Sequence, residues 1–346
     1  MRMAELPRRS AFLDQAADRK RLPVALLSGF LGSGKTTLVN ALLRDPRMAG
    51  TAVAINEFGE TPLDHELIDH GADRTVVLAN GCLCCNLAGD MEGAVMRLFS
   101  RREGGEVPRF ERLVIEPSGL ADPAPLMQAI LRNPVMSRAL RLEAVVSTVD
   151  ALFIEAHLAR YAQTRKQVAI ADALVLTKSD LVDADTIGRL RAALQAQQPA
   201  AAVHLAVHGG VDAAAIFPAA FFDADAPSAT RSALLAEPVG TLAHLFEITA
   251  VSLHAAQPLS WTAFDTWLRG IRLHHADQLL RVKGILNIAG IDGPVAVHGI
   301  HHVVHPPVVL DSWSGAAPRS RLVLIVQNDI ADHVRQTWSS DLGKAA

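Results

Sequence analysis

The chain has 346 residues, half of them hydrophobic, enough to bury two ordinary cores. Its 33 basic and 36 acidic residues leave a net charge of −3, which gives no reason to expect nucleic acid as a partner. No stretch approaches the roughly 18 consecutive apolar residues that cross a bilayer, so no membrane partner is expected.

Residues 1–20 contain no continuous hydrophobic run and read as an N-terminal arm rather than a secretory signal. The first element is the apolar strand candidate 24–29, followed by Gly29-Phe-Leu-Gly-Ser-Gly-Lys-Thr36 and the helical pattern Leu38-Val-Asn-Ala-Leu-Leu43. Strand, loop and helix thus surround a complete G-x-x-x-x-G-K-[ST] phosphate loop in the required order. Gly29, Gly32 and Gly34 let the backbone turn its N–H groups inward, and Ser33 and Thr37 complete the cradle. Lys35 should reach the β and γ oxygens of a bound nucleotide, and the Thr36 hydroxyl should ligate Mg²⁺.

Further strand candidates are 51–56, 74–79, 112–116, 143–149, 173–177 and 202–207, separated mostly by helical stretches. Several are continuously apolar, as buried parallel strands should be. The expected fold is an α/β, doubly wound, mostly parallel sheet over residues 21–222. Asn56-Glu-Phe-Gly-Glu60 and Asp64 leave the second strand as an acidic loop suited to a switch, with Asp64 a candidate for the Mg²⁺ shell. The strand at 112–116 ends in Glu116-Pro-Ser-Gly119, where such folds place the acidic residue that orders Mg²⁺ or the attacking water, with Gly119 approaching the γ-phosphate.

The only cysteines are Cys82, Cys84 and Cys85, within four residues and after the turn-forming Asn80-Gly81. One tight cluster cannot build an ordinary disulfide framework, so a reducing, cytoplasmic setting is expected. Neighbouring thiolates repel one another unless a cation neutralises them, and three sulfurs point to Zn²⁺, with Co²⁺ accepting the same ligands. A tetrahedral site needs a fourth ligand. Glu60, His65 and His70 are candidates.

Lysine is rare, and two of the six fall in nucleotide motifs: Lys35, and Lys178 in Thr177-Lys-Ser-Asp180. The latter resembles the [NT]-K-x-D loop that reads guanine. Asp180 would accept hydrogen bonds from guanine N1–H and its 2-amino group, which adenine cannot donate, so GTP is preferred.

Residues 223–240, rich in Ala, Asp, Pro and Ser, read as a linker to a smaller α+β domain at 241–337, with a tail at 338–346. There Phe246, Ile248 and Ala250 alternate as a strand, and Trp261, Phe264, Leu268 and Ile271 follow helical spacing. Strands are expected near 281–289, 295–304 and 321–327, forming a small antiparallel sheet with helices packed on it, the aromatics in the core. Within a strand at 295–304, His298 and His302 would share one face, His301 and His305 the other.

In order, the phosphate loop, Asn56-Glu-Phe-Gly-Glu60, Gly81-Cys-Leu-Cys-Cys85, Glu116-Pro-Ser-Gly-Leu-Ala-Asp-Pro123, Val149-Asp150-Ala151 and Thr177-Lys-Ser-Asp180 resemble the CobW family of GTPases over about residues 22–335. The resemblance implies a metallochaperone or metal-insertion factor in which GTP and its hydrolysis to GDP control delivery of Zn²⁺, Co²⁺ or Fe²⁺ to a client metalloprotein, the C-terminal domain meeting the client. By position it implies phosphate and Mg²⁺ contacts for Lys35 and Thr36, the Mg²⁺ or water role for Glu116, guanine recognition for Asp180, and a metal site at Cys82, Cys84 and Cys85. Thr61-Pro62 departs from the aliphatic-Gly pair usual after Glu60 and should stiffen the switch. No in-chain arginine finger is evident, so hydrolysis is expected to be slow without a partner. A GTP-dependent assembly switch with structural cysteines, or a passive metal buffer, are the alternatives. The sequence leaves the oligomeric state open.

Overall fold

The computed structural model describes residues 21–55, 76–79, 98–217 apart from 99, 103 and 108, and 248–342 apart from 302, 305, 311, 312 and 314–317. The chain divides into two compact units, one containing Arg21–Leu194 and Ala201–Ala220, the other Phe221–Ala346.

The first unit is built on strands β1 (Leu22–Gly29), β2 (Thr51–Ile55), β3 (Val76–Ala79), β4 (Arg112–Glu116), β5 (Leu140–Asp150), β6 (Ala173–Thr177) and β7 (Ala202–Leu205). They form one sheet in the order β3-β2-β4-β1-β5-β6-β7, with every pairing parallel. Helices α1 (Lys35–Leu43), α2 (Pro123–Arg132), α3 (Pro134–Ala139), α4 (Ile154–Arg160), α5 (Ala162–Ile170), α6 (Ala184–Gln197) and the single turn α7 (Ala213–Ile216) connect them. Residues of both parities on β1 and β6 are buried, the reason their sequences run continuously apolar. On one face, Leu38, Val39 and Leu42 of α1 pack over Ala25 and Leu27 of β1, Val114 of β4 and Val146 of β5.

Strand β5 begins three residues before its expected start. Leu140 pairs with Leu22 from the outset, and the Arg21 guanidinium donates to the Ser137 and Leu140 carbonyls at 3.0 and 3.4 Å. The expected start, Glu143, is an interior residue of the strand and buried. Its side chain is 1% exposed and paired with Arg112 Nε of β4 at 2.9 Å. A buried charge is tolerable when so paired.

In the second unit, β8 (Ile248–Ala255), β9 (Leu279–Leu286), β10 (Val295–Ile300), β11 (Val303–Val304), β12 (Val308–Val309) and β13 (Ser320–Gln327) make an antiparallel sheet in the order β11-β10-β9-β13-β8, with β12 pairing β10. Helices α8 (Trp261–His274) and α9 (Asn328–Asp341) bury Phe264, Trp267, Leu268, Val334 and Trp338 in a core shared with Val282 and Leu324 of the sheet. The aromatic residues are core, as their spacing suggested. Trp267 and Trp338 meet edge to face at 5.1 Å, and each indole N–H is satisfied, by Thr337 Oγ1 and the His254 carbonyl. This packing carries α9 through Asp341, past the tail expected from 338.

The expected strand at 295–304 is interrupted. Ile300 pairs with Val303 across a tight turn in which His301 has φ of 48°, so His301 belongs to a hairpin turn and not to a strand face. His298 stays on β10 and is buried, while His302 and His305 lie outside the described residues. The expected arm at 1–20 and linker at 223–240 lie outside them too.

On β7, at the edge of the parallel sheet, half-buried His204 has its pKa pushed below the ordinary value by desolvation, with Arg191 adding to the effect. As pH falls through the ordinary imidazole value near 6.5, the unfolded chain takes up the proton before the folded one, and stability is lost. The thermal midpoint should therefore drop between pH 7.5 and 5.5, and His204→Gln should shrink that drop; an unchanged pH slope in this variant would contradict the assignment.

Candidate functional site

All functional loops of the first unit leave the C-terminal ends of parallel strands, so they share one edge of the sheet. The loop after β1 is the centre. At Gly29 φ is 142°, and a Cβ there would lie 2.1 Å from Thr148 Oγ1 and 2.7 Å from Ser33 Oγ, so no other residue fits. Ser33 Oγ donates to the Phe30 carbonyl at 2.7 Å and lies 2.6 Å from Thr148 Oγ1 of β5. Thr177 Oγ1, at the end of β6, lies 2.8 Å from the Ser33 carbonyl and 3.1 Å from that of Val149. Hydroxyls from two neighbouring strands thus hold the loop's shape.

Helix α1 starts from Gly34, which has no side chain to cap it, and its first turn contains no acidic residue. Among the other helices, α2, α3, α7 and α8 are capped by the side chains of Asp122, Asn133, Asp212 and Ser260, while α4, α5 and α9, like α1, have no side-chain cap. The first-turn N–H groups of α1 and the positive end of its dipole are left for an anion. Lys35 is buried, with Nζ donating to the carbonyls of Gly29 at 3.1 Å and Phe30 at 3.3 Å. The next residue, Thr36, donates through Oγ1 to Glu116 Oε1 at 3.4 Å, and Glu116 is 1% exposed. A hydroxyl beside a buried carboxylate is a hard oxygen pair of the type Mg²⁺ takes beside phosphates. Gly119 crowds the same place: a Cβ on it would lie 2.8 Å from the Leu31 nitrogen and 2.9 Å from Lys35 Nζ.

Lys178 adopts a left-handed conformation with φ of 56° and donates through Nζ to Asp150 Oδ2 at 2.5 Å. Asp150, buried at the end of β5, also accepts from the Leu152 N–H at 2.9 Å. Asp180 is exposed beside it. Two contributors escaped the sequence reading as working parts. Asp150 fastens the Thr177–Asp180 loop through Lys178, and the signal was an acidic residue ending a buried strand. The other is the turn after β7, closed by the Val207–Gly210 bridge. It receives Ser179 Oγ at the Ala206 carbonyl and packs Gly209 against the Thr37 carbonyl of α1. Its signal was Gly209-Gly210 directly after the last strand candidate, which ends at Leu205 rather than 207.

The structure therefore brings together Gly29, Ser33, Gly34, Lys35, Thr36, Glu116, Gly119, Thr177 and Lys178. Gly32 and Thr37 lie within the same loop and helix. Glu60, Asp64, Cys82, Cys84 and Cys85 lie outside the described residues, as do His65 and His70. Among the described residues there is no cluster of three or more His, Cys, Asp or Glu side chains able to hold a metal ion, and no helix long and apolar enough to cross a membrane.

Two family models match the chain: the CobW/HypB/UreG nucleotide-binding domain over residues 23–205 and the cobalamin synthesis protein cobW C-terminal domain over 248–341. The chain is 30% identical over 313 residues to the zinc chaperone YjiA of Escherichia coli, covering 88% of this chain and 93% of that protein. It is 34% identical over 212 residues to the zinc chaperone CobW of Pseudomonas aeruginosa, covering 52% of this chain and 55% of that one. The crystal structure of Zn(II)-bound YjiA GTPase from E. coli superposes with a TM-score of 0.70 at 25% identity, over 93% of this chain and 99% of that one.

The hydrogen bonds of Thr177 set it apart from Asp180. Thr177→Val removes the hydroxyl that secures the Ser33 carbonyl, so GTP and ATP binding should both weaken, by about tenfold for one buried hydrogen bond. Asp180→Ala should weaken GTP by at least as much and leave ATP unchanged. Competition binding with both nucleotides separates the two, and a guanine-selective loss in Thr177→Val would refute the loop-holding role.

Proposed function

The chain belongs to the CobW family, and on that premise we propose that it is a GTPase that carries Zn²⁺ as cargo on Cys82, Cys84 and Cys85 and passes it to a client metalloprotein under the control of its nucleotide. The observation that carries this reading is the alignment of strand ends. Ile55 of β2 pairs with Ala79 of β3 on one side and with Glu116 of β4 on the other. The end of β3 is therefore level with the carboxylate beside Thr36, two strand spacings or roughly 10 Å away. Cys82 follows Ala79 by three residues in the sequence, and the acidic segment from Asn56 follows Ile55 directly.

In the hydrolysis step, a water oxygen bonds to the γ-phosphorus while the bond to the β–γ bridging oxygen breaks, and GDP departs with that electron pair. The N–H groups of α1 and the ammonium of Lys35 stabilise the charge that moves onto the bridging oxygen and the β-phosphate. Glu116 orients the water or the Mg²⁺ shell, and the Gly119 N–H meets the γ-phosphate. Mg²⁺, held at Thr36 and Glu116, would neutralise the β and γ oxygens. Loss of the γ-phosphate removes one contact from the Glu116–Gly119 turn. The segments after β2 and β3 start from the same edge, so such a change is placed to alter the geometry offered to zinc. Support for zinc as the cargo comes from the relatives named zinc chaperones, and from thiolate chemistry.

Zinc titrations of the metal-free protein with GDP and with a non-hydrolysable GTP analogue should give affinities differing by about 5- to 150-fold, the range of ordinary coupling. Saturating zinc must then shift the analogue-to-GDP affinity ratio by the same factor. A Cys82→Ser, Cys84→Ser, Cys85→Ser variant should lose tight zinc binding. Lys35→Ala should keep zinc binding but lose its dependence on GTP. Equal zinc affinities in both nucleotide states would reject the coupling, and unchanged zinc affinity in the triple variant would reject the thiol site.

A further inference from the structure

Gln167, in the middle of α5, is 1% exposed, and its amide nitrogen donates to two carbonyls of a single turn: Gly119 at 3.1 Å and Ala121 at 3.2 Å. The turn is closed on itself by the Ala121 N–H to the Ser118 carbonyl at 2.9 Å, and a second α5 side chain, Lys166, pairs with Asp122 at 2.9 Å. Gly119 is the residue pressed against Lys35 and Leu31 of the phosphate loop. One buried amide thus links α5 to the surface that touches the phosphate-binding lysine.

The layer behind that link is unusually polar. The chain passes from β1 through α1 to β2 in one direction along the sheet and from β5 through α5 to β6 in the other. Right-handed crossovers therefore put α1 and α5 on opposite faces. Ala25 and Leu27 face α1, so Ser28 and its register partner Ser147 face α5. Ser28 Oγ, Ser147 Oγ, Thr164 Oγ1 and Gln167 Oε1 are all buried without a hydrogen-bond partner. Thr164 and Gln167, three apart, lie on one face of α5.

We propose that Gln167 is the positioning residue of the γ-phosphate sensor: its amide holds the 118–121 turn where the Gly119 N–H meets the γ-phosphate, and so gives the GTP state its advantage over the GDP state. The inference rests on the reading of Gly119 as the γ-phosphate contact. Gln167 touches neither nucleotide nor water and acts through the turn.

The test uses full-length Gln167→Met and Gln167→Glu, both close in volume to glutamine, with binding of GDP and a non-hydrolysable GTP analogue and steady-state hydrolysis as readouts. The methionine cannot donate, and a glutamate, ionised or protonated, cannot donate to both carbonyls at once. GDP affinity should stay within about twofold. Analogue affinity should fall at least about fivefold, and kcat about tenfold, with a smaller change in KM. Gly119→Ala, measured in parallel, tests the underlying reading. If Gly119→Ala lowers analogue affinity while both Gln167 variants behave as wild type, the proposal is overturned and the γ-phosphate reading stands. If Gly119→Ala leaves the analogue-to-GDP ratio unchanged, the reading falls and the proposal falls with it. Equal loss of both nucleotides, or loss of folding in both Gln167 variants, assigns the residue a purely structural role and overturns the proposal. Should only the methionine variant fail to unfold cooperatively, the glutamate variant decides.

Discussion

The first turn of α1 is uncapped, and the surrounding structure depends on keeping it so. A helix start carries about half a positive charge and several N–H groups without intrahelical partners. Most helix starts spend these on a side-chain oxygen, worth about 1 kcal/mol. Here Gly34 supplies none, so the loop before the helix must be held from outside. The holding is done by Thr148, at the end of β5, and Thr177, at the end of β6, through Ser33. A ligand arrives at N–H groups already aimed, without paying to order the loop.

That arrangement makes the parallel sheet more than a scaffold. Because every pairing is parallel, Gly29, Ile55, Ala79, Glu116, Asp150 and Thr177 all end strands at one edge. The hydrogen-bond register, not the loops themselves, decides which strand ends stand level with one another. Ile55 aligned with both Ala79 and Glu116 brings the segments before the thiols and before the carboxylate turn to the same height. The segment containing Cys82, Cys84 and Cys85 thus follows in sequence a strand end that is level with Glu116.

Much of this was legible in the sequence. The phosphate loop announced itself because each residue type has one local task, and β4 and β6 matched their expected bounds because each has an apolar run, Leu113-Val-Ile115 or Ala173-Leu-Val-Leu176, that ends at a polar residue. Legibility failed where a polar group does structural work. Glu143 sits inside β5 and not at its start, because its charge is paired with Arg112, 31 residues away in the chain. Thr177 looked like part of a guanine motif, and its hydroxyl turns out to secure the phosphate loop. Periodicity carried the hairpin at His301 past its turn, since nothing in the alternation marks a residue that adopts positive φ. Asp150 and Gln167 gain their roles only from what the fold sets beside them.

The distribution of these polar ties separates what is rigid from what can respond. Thr148 and Thr177 lie in strands of the sheet and hold Ser33 of the loop, so displacing them would break strand pairings. The 118–121 turn is fastened by a helix, through one amide and one half-exposed ion pair. An exposed pair of that kind contributes at most about 1 kcal/mol, and a typical buried hydrogen bond about as much. A typical coupling free energy between two sites is about 1–3 kcal/mol, enough to shift a turn held this lightly. In the proposed function, the strand-held loop binds either nucleotide and the helix-held turn responds to the γ-phosphate.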